Sequence, residues 1–152
     1  MRIDLKEVIP KDITIINKLN KAESATGLDV WVKHTLHECS WDSKEIETVA
    51  GTQTSVGRVT KVQIPSGKNP NYKPYHDWSK AGNQEDFWTI SEGDYVVLGE
   101  VTEEVNASNI VKTMAKYKPN QCRIQMFEDL TVKLQSSGFL EQYLSIYYIE
   151  GV

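Results

Sequence analysis

GDYVVLGEVTEEVNASNIVKTMAKY, residues 93–117, is the stretch that decides the predicted fold, because two periodicities follow each other within it. Residues 95–101 are rich in β-branched and apolar side chains and predict a strand. After an acidic turn, apolar residues at i, i+3, i+4, i+7 and i+8 predict an amphipathic helix over about 106–117. Asn106 suits the N-cap position, and Pro119 ends the helix. The predicted apolar face consists of Ala107, Ile110, Val111, Met114 and Ala115.

Strand patterns also precede this stretch. Residues 12–19 predict either a short strand or one helical turn. In residues 29–41, apolar and polar side chains alternate in a run rich in β-branched and aromatic residues, which favours a strand. Residues 42–53 indicate a polar crossing with a turn at Gly51, with a helical turn over 43–50 as the alternative. Residues 54–65 predict a second long strand that ends at a proline.

Further strands are predicted after the second long strand. Residues 87–90 and 95–101 are joined by a turn that contains Gly93, which indicates an antiparallel hairpin. Residues 122–126 alternate in the same way, and residues 130–134 either extend that strand or begin its hairpin partner. Gly138 is a predicted turn, and residues 144–149 predict a terminal strand.

Together these patterns predict a mainly β fold, with about six to seven strands and one α-helix. The expected architecture is a small antiparallel β-barrel or sandwich with the helix packed at one end. An open sheet is the main alternative, although a closed barrel protects strand edges better. A length of 152 residues fits one domain, residues 1–152.

The segment 66–86 is predicted to be a long loop. It contains prolines, glycines, asparagines and three large aromatic residues, and loops of this length in compact domains are often functional. We therefore take it as the candidate partner-contacting segment. The candidate partner-binding residues are Tyr72, Tyr75, His76 and Trp78.

Composition limits the classes of function. The net charge of −4 gives no basic surface for neutralising phosphates, so sequence-specific nucleic-acid binding is not expected. No run approaches the roughly 20 apolar residues of a membrane span, and no signal peptide is recognisable, so we expect a cytoplasmic protein. The two cysteines, Cys39 and Cys122, are expected to be free thiols.

Residues with catalytic or metal-binding chemistry are few. His34, His37 and Cys39 lie close in sequence, but on a regular strand His34 would face away from the other two, so we predict no metal site. The acidic residues at 100, 103 and 104 are explained by the helix N-terminus that they precede. The sequence contains no phosphate-binding glycine loop, nucleophile elbow or HExxH motif. We therefore predict no enzyme, no cofactor and no catalytic residues.

The order of motifs resembles that of small virion proteins of tailed bacteriophages and prophages of the head-tail connector type, also called minor capsid proteins. The resemblance begins near Ile16. It covers an aromatic segment around Trp31 and Trp41, VQIP at 62–65, YKPYHDW at 72–78, SEGDYVVLGEV at 91–101, the TEEV turn with the helix that follows, and the terminal EGV at 150–152.

This resemblance implies a non-enzymatic head-completion protein, a stopper-like β-barrel that forms a homo-oligomeric ring. Its implied partners are other virion proteins, namely the portal or adaptor and the tail tube or terminator. Its implied location is the virion, and the bacterial host cytoplasm during assembly. A monomeric state in isolation is compatible with such a role. The alternative is a small monomeric binding module that uses the loop aromatics to hold a peptide, sugar or nucleotide.

Overall fold

A computed structural model describes residues 10–20, 27–134 and 142–152. The described residues form a closed antiparallel barrel with the strand order β1-β2-β3-β6-β5-β4, which confirms the predicted mainly β fold and its barrel form. The strands are β1 (Lys11–Leu19), β2 (Val30–Ala50), β3 (Gln53–Pro65), β4 (Tyr95–Leu98), β5 (Gln121–Leu134) and β6 (Gln142–Gly151). Two short helices accompany them, α1 (Tyr75–Lys80) and α2 (Ile110–Ala115). Within these ranges, neither helix has the length or the apolar character that crossing a membrane requires.

The barrel interior is filled by the inward side chains of all six strands, together with two residues from the segment between β3 and β4. Alternate residues of β1, such as Ile13 and Ile15, point into this core. Ile16 has the opposite parity and belongs to a second cluster outside the barrel, where α2 covers it. Both faces of β1 are therefore buried, which explains why the alternation in its sequence breaks down at Ile16. The interior cluster consists of Ile13, Ile15, Leu36, Cys39, Val62, Ile64, Trp88, Ile90, Val96, Cys122, Ile124 and Ile149.

A β-bulge in β2 changes which side chains face the core. Ile13 pairs with Leu36 but Lys11 pairs with Cys39, so β2 contains one extra residue, and Glu38 has a φ of 57°. Leu36 and Cys39 consequently both reach the core, although a regular strand would place them on opposite faces. The predicted polar crossing is wrong for residues 42–50, because β2 continues to Ala50, whereas the predicted turn at Gly51 is confirmed by the tight turn at residues 51–52.

The helix is shorter than predicted. The Asn106 side-chain oxygen accepts hydrogen bonds from the backbone N–H groups of Ser108 and Asn109, so it caps a preceding turn rather than the helix itself. α2 begins at Ile110, and Asn109 occupies its N-cap position. Val111 is 75% exposed, and Ala107 and Ala115 are also exposed, so Ile110 and Met114 are the apolar residues that α2 buries.

The predicted hairpin between 87–90 and 95–101 does not form. β4 ends at Leu98 and pairs with β1 and β5 instead. Residues 87–90 contain a single bridge, between Trp88 and Tyr72. The side chains of Trp88 and Ile90 are buried in the barrel core. Further along the chain, residues 122–134 form one continuous strand, β5. Of the two alternatives for residues 130–134, the one in which they extend the preceding strand is therefore confirmed. The predicted turn at Gly138 lies outside the described residues.

Candidate interaction surfaces

Residues 66–94, which we call the crossing segment, close one end of the barrel. The segment leaves β3 at Pro65 and contains α1 and two 3₁₀ turns (Ser66–Lys68 and Gln84–Asp86), so the prediction of a loop without structure is corrected. Asn69 fixes it to the bulge of β2: its amide donates to the His37 and Pro65 carbonyls at 2.8 and 3.0 Å, and its oxygen accepts from the His37 N–H at 2.6 Å. Because Asn69 is only 3% exposed, these bonds are shielded from water.

A buried polar network holds the other end of the crossing segment. The Asn17 amide donates to the Thr89 carbonyl at 2.6 Å and to the Asp94 carboxylate at 2.9 Å, and the Lys18 N–H donates to the same carboxylate at 3.1 Å. Burial raises the pKa of Asp94 to about 7, even though these hydrogen bonds favour the charged form. The network fixes the segment against β1 immediately before β4 begins.

The four predicted partner-binding residues have different environments. Trp78 is fully buried, and its indole N–H donates to the Phe87 carbonyl at 3.1 Å. Tyr72 is half-buried, with its ring centroid 5.0 Å from that of Trp88 and 4.4 Å from that of Tyr147. Tyr72 therefore packs the segment onto β6, whereas the hydrogen bond of Trp78 joins two parts of the segment itself.

The other two predicted residues, Tyr75 and His76, reach the surface at the start of α1. The Tyr75 hydroxyl accepts a hydrogen bond from the Asn20 side chain at 2.9 Å. His76 is exposed, with its ring 3.1 Å from the Lys80 ammonium nitrogen. His76 is therefore the exposed member of the predicted set, Tyr72 and Tyr75 are half-buried, and the Trp78 side chain is out of a partner's reach in this conformation.

The histidines and cysteine of β2 do not form a metal-binding group. Cys39 is buried, and burial raises the pKa of its thiol to about 12. His37 is exposed and lies 3.0 Å from the Asp12 carboxylate, whereas burial lowers the pKa of His34. Across residues 10–20, 27–134 and 142–152, no three His, Cys, Asp or Glu side chains are grouped to hold a metal ion.

Two β-ribbons extend beyond the barrel. β3 pairs with β6 only from Thr60 onward, so residues 44–50 of β2 and 53–59 of β3 pair only with each other. We call residues 44–59 the β2–β3 arm; about 3.3 Å per residue gives it a length of roughly 20 Å. Likewise, residues 131–134 of β5 pair only with residues 142–145 of β6, and these form the β5–β6 arm.

The arms leave opposite ends of the barrel. β3 and β6 are antiparallel neighbours, with Thr60 opposite Gly151 and Pro65 opposite Ile146. The β2–β3 arm continues past the Thr60 end of this pairing, and the β5–β6 arm continues past the Pro65 end. Apolar side chains are exposed on the first arm: Ile46 by 47%, Val49 by 67% and Val56 by 66%.

A cleft of about 450 Å³ lies between α2 and the start of β5. Its apolar wall includes Val111 and Met114 from α2, and three cationic residues, Arg58, Lys118 and Arg123, surround it without any Asp or Glu in the lining. We call it the basic cleft. No sequence pattern predicts the basic cleft, because its cations come from separate parts of the chain.

One comparison identifies a family. A family model described as a family of unknown function (DUF6751) matches residues 8–136. No curated protein and no solved structure matches the chain.

Proposed function

We propose that this chain, which belongs to family DUF6751, is a non-enzymatic structural protein of a tailed-phage or prophage virion. Its role would be head completion and head-tail connection, as a stopper-like ring component between the portal or adaptor and the tail. The order of motifs from the aromatic strand to the terminal EGV suggests this setting, and the arms described above support the mechanical part of the role.

The observation that carries the proposal is that two ribbons leave opposite ends of one closed barrel. A connecting protein needs separate contact surfaces toward the component above it and the component below it. A closed barrel has its strand edges paired within itself, so its ribbons are the parts whose edges remain open for another chain. Such a protein acts by binding at both ends and needs no chemical turnover.

The β2–β3 arm provides the apolar part of one contact surface. Val49 and Val56 lie on one face of the ribbon, because Val56 pairs with Glu47 and Val49 pairs with Thr54, two residues along. A two-stranded ribbon has no second layer to cover such side chains, so they stay in water until a partner buries them. Exposed apolar groups on a projecting element are typical of interaction sites.

The crossing segment has a narrower role than its composition suggested. Trp78 is fully buried in this segment, and Tyr72 packs against the core residue Trp88 and against Tyr147, so deleting residues 66–86 would remove buried packing together with any docking surface. Tyr75 and His76 are the residues through which it could contact a neighbouring ring. For the same reason, the alternative function, a monomeric module that holds a small ligand with Tyr72 and Trp78, gains no support from their packing.

The test is reconstitution with the portal and adaptor proteins encoded next to this protein. Purified components are mixed, and complexes are measured by light scattering and negative-stain microscopy. We expect ring-shaped complexes with the unmodified chain, and their loss when Ile46, Val49 and Val56 are all replaced by Ser. The matched control is Leu28→Ser, which removes an apolar side chain of similar exposure, 66%, away from the arms.

Two outcomes would contradict the proposal. One is the absence of any association with neighbouring virion proteins across salt and protein concentration. The other is that the triple arm variant assembles as well as Leu28→Ser does, while circular dichroism shows that both are folded. A separate pair of variants, Tyr75→Ala and His76→Ala, measures whether the exposed part of the crossing segment contributes to docking.

A further inference from the structure

We infer that the basic cleft receives an acidic, apolar surface on the barrel wall of a second copy of this chain, so that copies join head to tail. The inference rests on the proposed ring-component function, because it names the contact through which copies would associate. Its basis is the complementarity of two surfaces that one chain carries at different places.

The cleft has the chemistry of a site for carboxylates beside apolar side chains. The Arg123 guanidinium lies 5.3 Å from the Tyr95 ring centroid and donates through Nε to the Gly93 carbonyl at 3.1 Å, which leaves its terminal N–H groups for a ligand. Lys118 is exposed and forms no ion pair with any residue that the structure describes. Arg58 contacts the Glu45 carboxylate at 3.1 Å, so part of its charge is already compensated.

The apolar part of the cleft is also available. Met114 is almost fully buried at its base, whereas Val111 is 75% exposed at its edge. A ligand that places an apolar side chain against Val111 and a carboxylate near Lys118 would bind both the apolar wall and the cations of the cleft. Charge pairs at the edge of such a contact set orientation more than strength, while the apolar burial supplies most of the affinity.

The complementary surface, which we call the acidic face, is the outer side of β5 and β6. Ile149 is buried in the core and Tyr147 packs against it, so the even-numbered residues of β6 point outward. Glu128 pairs with Tyr148, and Met126 pairs with Glu150, which places these four on the same outward face. The acidic face consists of Met126, Glu128, Leu130, Tyr148 and Glu150, together with Lys61 and Gln63 of β3, which pair with Glu150 and Tyr148, and Asp42 of β2, which pairs with Lys61.

This face matches the cleft in both charge and apolar character. Met126 and Leu130 are 37% and 39% exposed, and three carboxylates, those of Asp42, Glu128 and Glu150, surround the Tyr148 ring. Glu150 lies 3.9 Å from the Lys61 ammonium, whereas Glu128 forms no ion pair within the described part of the chain. Three cations in the cleft therefore face three carboxylates of the second copy. On each side one charge already has a partner in its own chain: Arg58 pairs with Glu45, and Glu150 pairs with Lys61.

The arrangement forces a contact between different copies. Arg123 of the cleft and Glu128 of the face lie on the same strand, five residues apart, and a barrel wall cannot fold back onto itself. When each copy uses its cleft toward one neighbour and its acidic face toward another, the contact is heterologous, and repeating it gives a ring if the rotation closes; a reciprocal contact would instead stop at a dimer. Head-to-tail association of this kind is what a ring component requires.

Disulfide trapping tests the contact even when it is weak. Lys118→Cys and Glu128→Cys are placed in one chain, and mild oxidation is followed by non-reducing electrophoresis. The native Cys39 and Cys122 are buried, so they contribute little background. We expect a ladder of covalent multimers from the double variant and at most dimers from either single variant. The matched control pairs Glu128→Cys with Lys68→Cys, an exposed lysine outside the cleft.

Charge reversal provides the second readout. We expect Lys118→Glu and Glu128→Lys each to raise the dissociation constant of self-association about tenfold, and the chain that carries both to recover most of the loss. Lys68→Glu should leave self-association unchanged. The inference is overturned if the double-cysteine chain forms no more multimers than the control, or if the two reversals fail to compensate each other.

The outcomes also separate this inference from the proposed function. If Lys118→Glu abolishes binding to the portal or adaptor while self-association is unchanged, the cleft binds an acidic segment of another virion protein, and the contact between copies is wrong. If copies associate as expected but no virion protein binds, the head-tail role fails and the contact stands.

Discussion

Gly151→Ala is expected to destabilise the barrel at the point where β3, β6 and β5 meet. An added Cβ at Gly151 would lie 2.6 Å from the Arg123 carbonyl oxygen and 2.7 Å from the Cys122 sulfur. Cβ contacts under 3.0 Å are essentially never seen, so the Arg123 backbone would have to move by at least about 0.4 Å (3.0 minus 2.6). The close approach follows from the bulge in β5, where the register shifts between Ile124 and Met126.

The magnitude follows from two costs and one gain. Overpacking a well-packed core costs about 1–3 kcal/mol. Moving the Arg123 carbonyl also stretches its 3.1 Å hydrogen bond from the Val152 N–H, and losing such a bond costs about 0.5–1.5 kcal/mol. Replacing Gly by Ala restricts the unfolded chain, which returns about 0.4–1 kcal/mol. The net expectation is a free energy of unfolding lower by roughly 0.5–4 kcal/mol.

Urea unfolding followed by tryptophan fluorescence measures this difference. The matched control is Gly57→Ala in the β2–β3 arm, where an added Cβ meets no atom within 4 Å. Gly57→Ala should not lower the free energy of unfolding and should raise it by about 0.4–1 kcal/mol. If the two variants are equally stable, the close packing of β5 on β6 at Gly151 is wrong, and so is the explanation of why this position is glycine.

Three further predictions concern buried polar groups and thiols. Because the folded-state pKa of Asp94 is raised from 3.8 to about 7, its contribution to the free energy of unfolding is complete below pH 4 and is lost as pH rises to 7. In urea titrations, the difference in unfolding free energy between the unmodified chain and Asp94→Asn should therefore fall by up to roughly 4 kcal/mol across that range. Asn69→Ala should lower the unfolding free energy by about 1–3 kcal/mol, since it leaves buried backbone groups unpaired, whereas Asn83→Ala at an exposed site should cost under about 0.5 kcal/mol by thermal melting. With their thiol pKa values raised to about 12 by burial, Cys39 and Cys122 should resist iodoacetamide at pH 7.5 in the folded protein and react in urea, as mass spectrometry will detect.

The regular parts of the fold could be predicted because their signals are local. Alternation in β3 and β5 follows from one buried face, and it identified these strands without any knowledge of their partners, whereas β1 is buried on both faces and its sequence left a helical turn open. The bulge at Glu38 could not be found in this way, because it depends on where Asn69 binds the β2 backbone from another segment. The helix was predicted to be too long for a related reason. Asn106 stabilises a turn before the helix, and asparagine is favoured both in such turns and at helix N-caps, so its presence does not distinguish them.

The candidate site was harder to predict than the fold. Aromatic residues in a polar segment give the same sequence pattern whether they bind a partner or pack inside the protein; here Trp78 is fully buried and Trp88 lies in the barrel core. The basic cleft left no sequence signal, because Arg58 reaches Lys118 and Arg123 only through strand pairing and the position of α2. A charge cluster that is assembled by the fold is invisible to a search for consecutive basic residues.

The distribution of buried residues makes the proposed contacts experimentally separable from folding. The described core lies within the barrel and beneath α2, and both faces of β1 and β4 contribute to it. The apolar residues of the β2–β3 arm belong to neither core cluster, so replacing them removes no core contact and should leave the unfolding free energy nearly unchanged. Loss of assembly in a folded arm variant would then report a lost interface rather than a lost fold. The same reasoning applies to Lys118 and Glu128, since both side chains are exposed and their replacement changes the charge of a surface without opening a cavity.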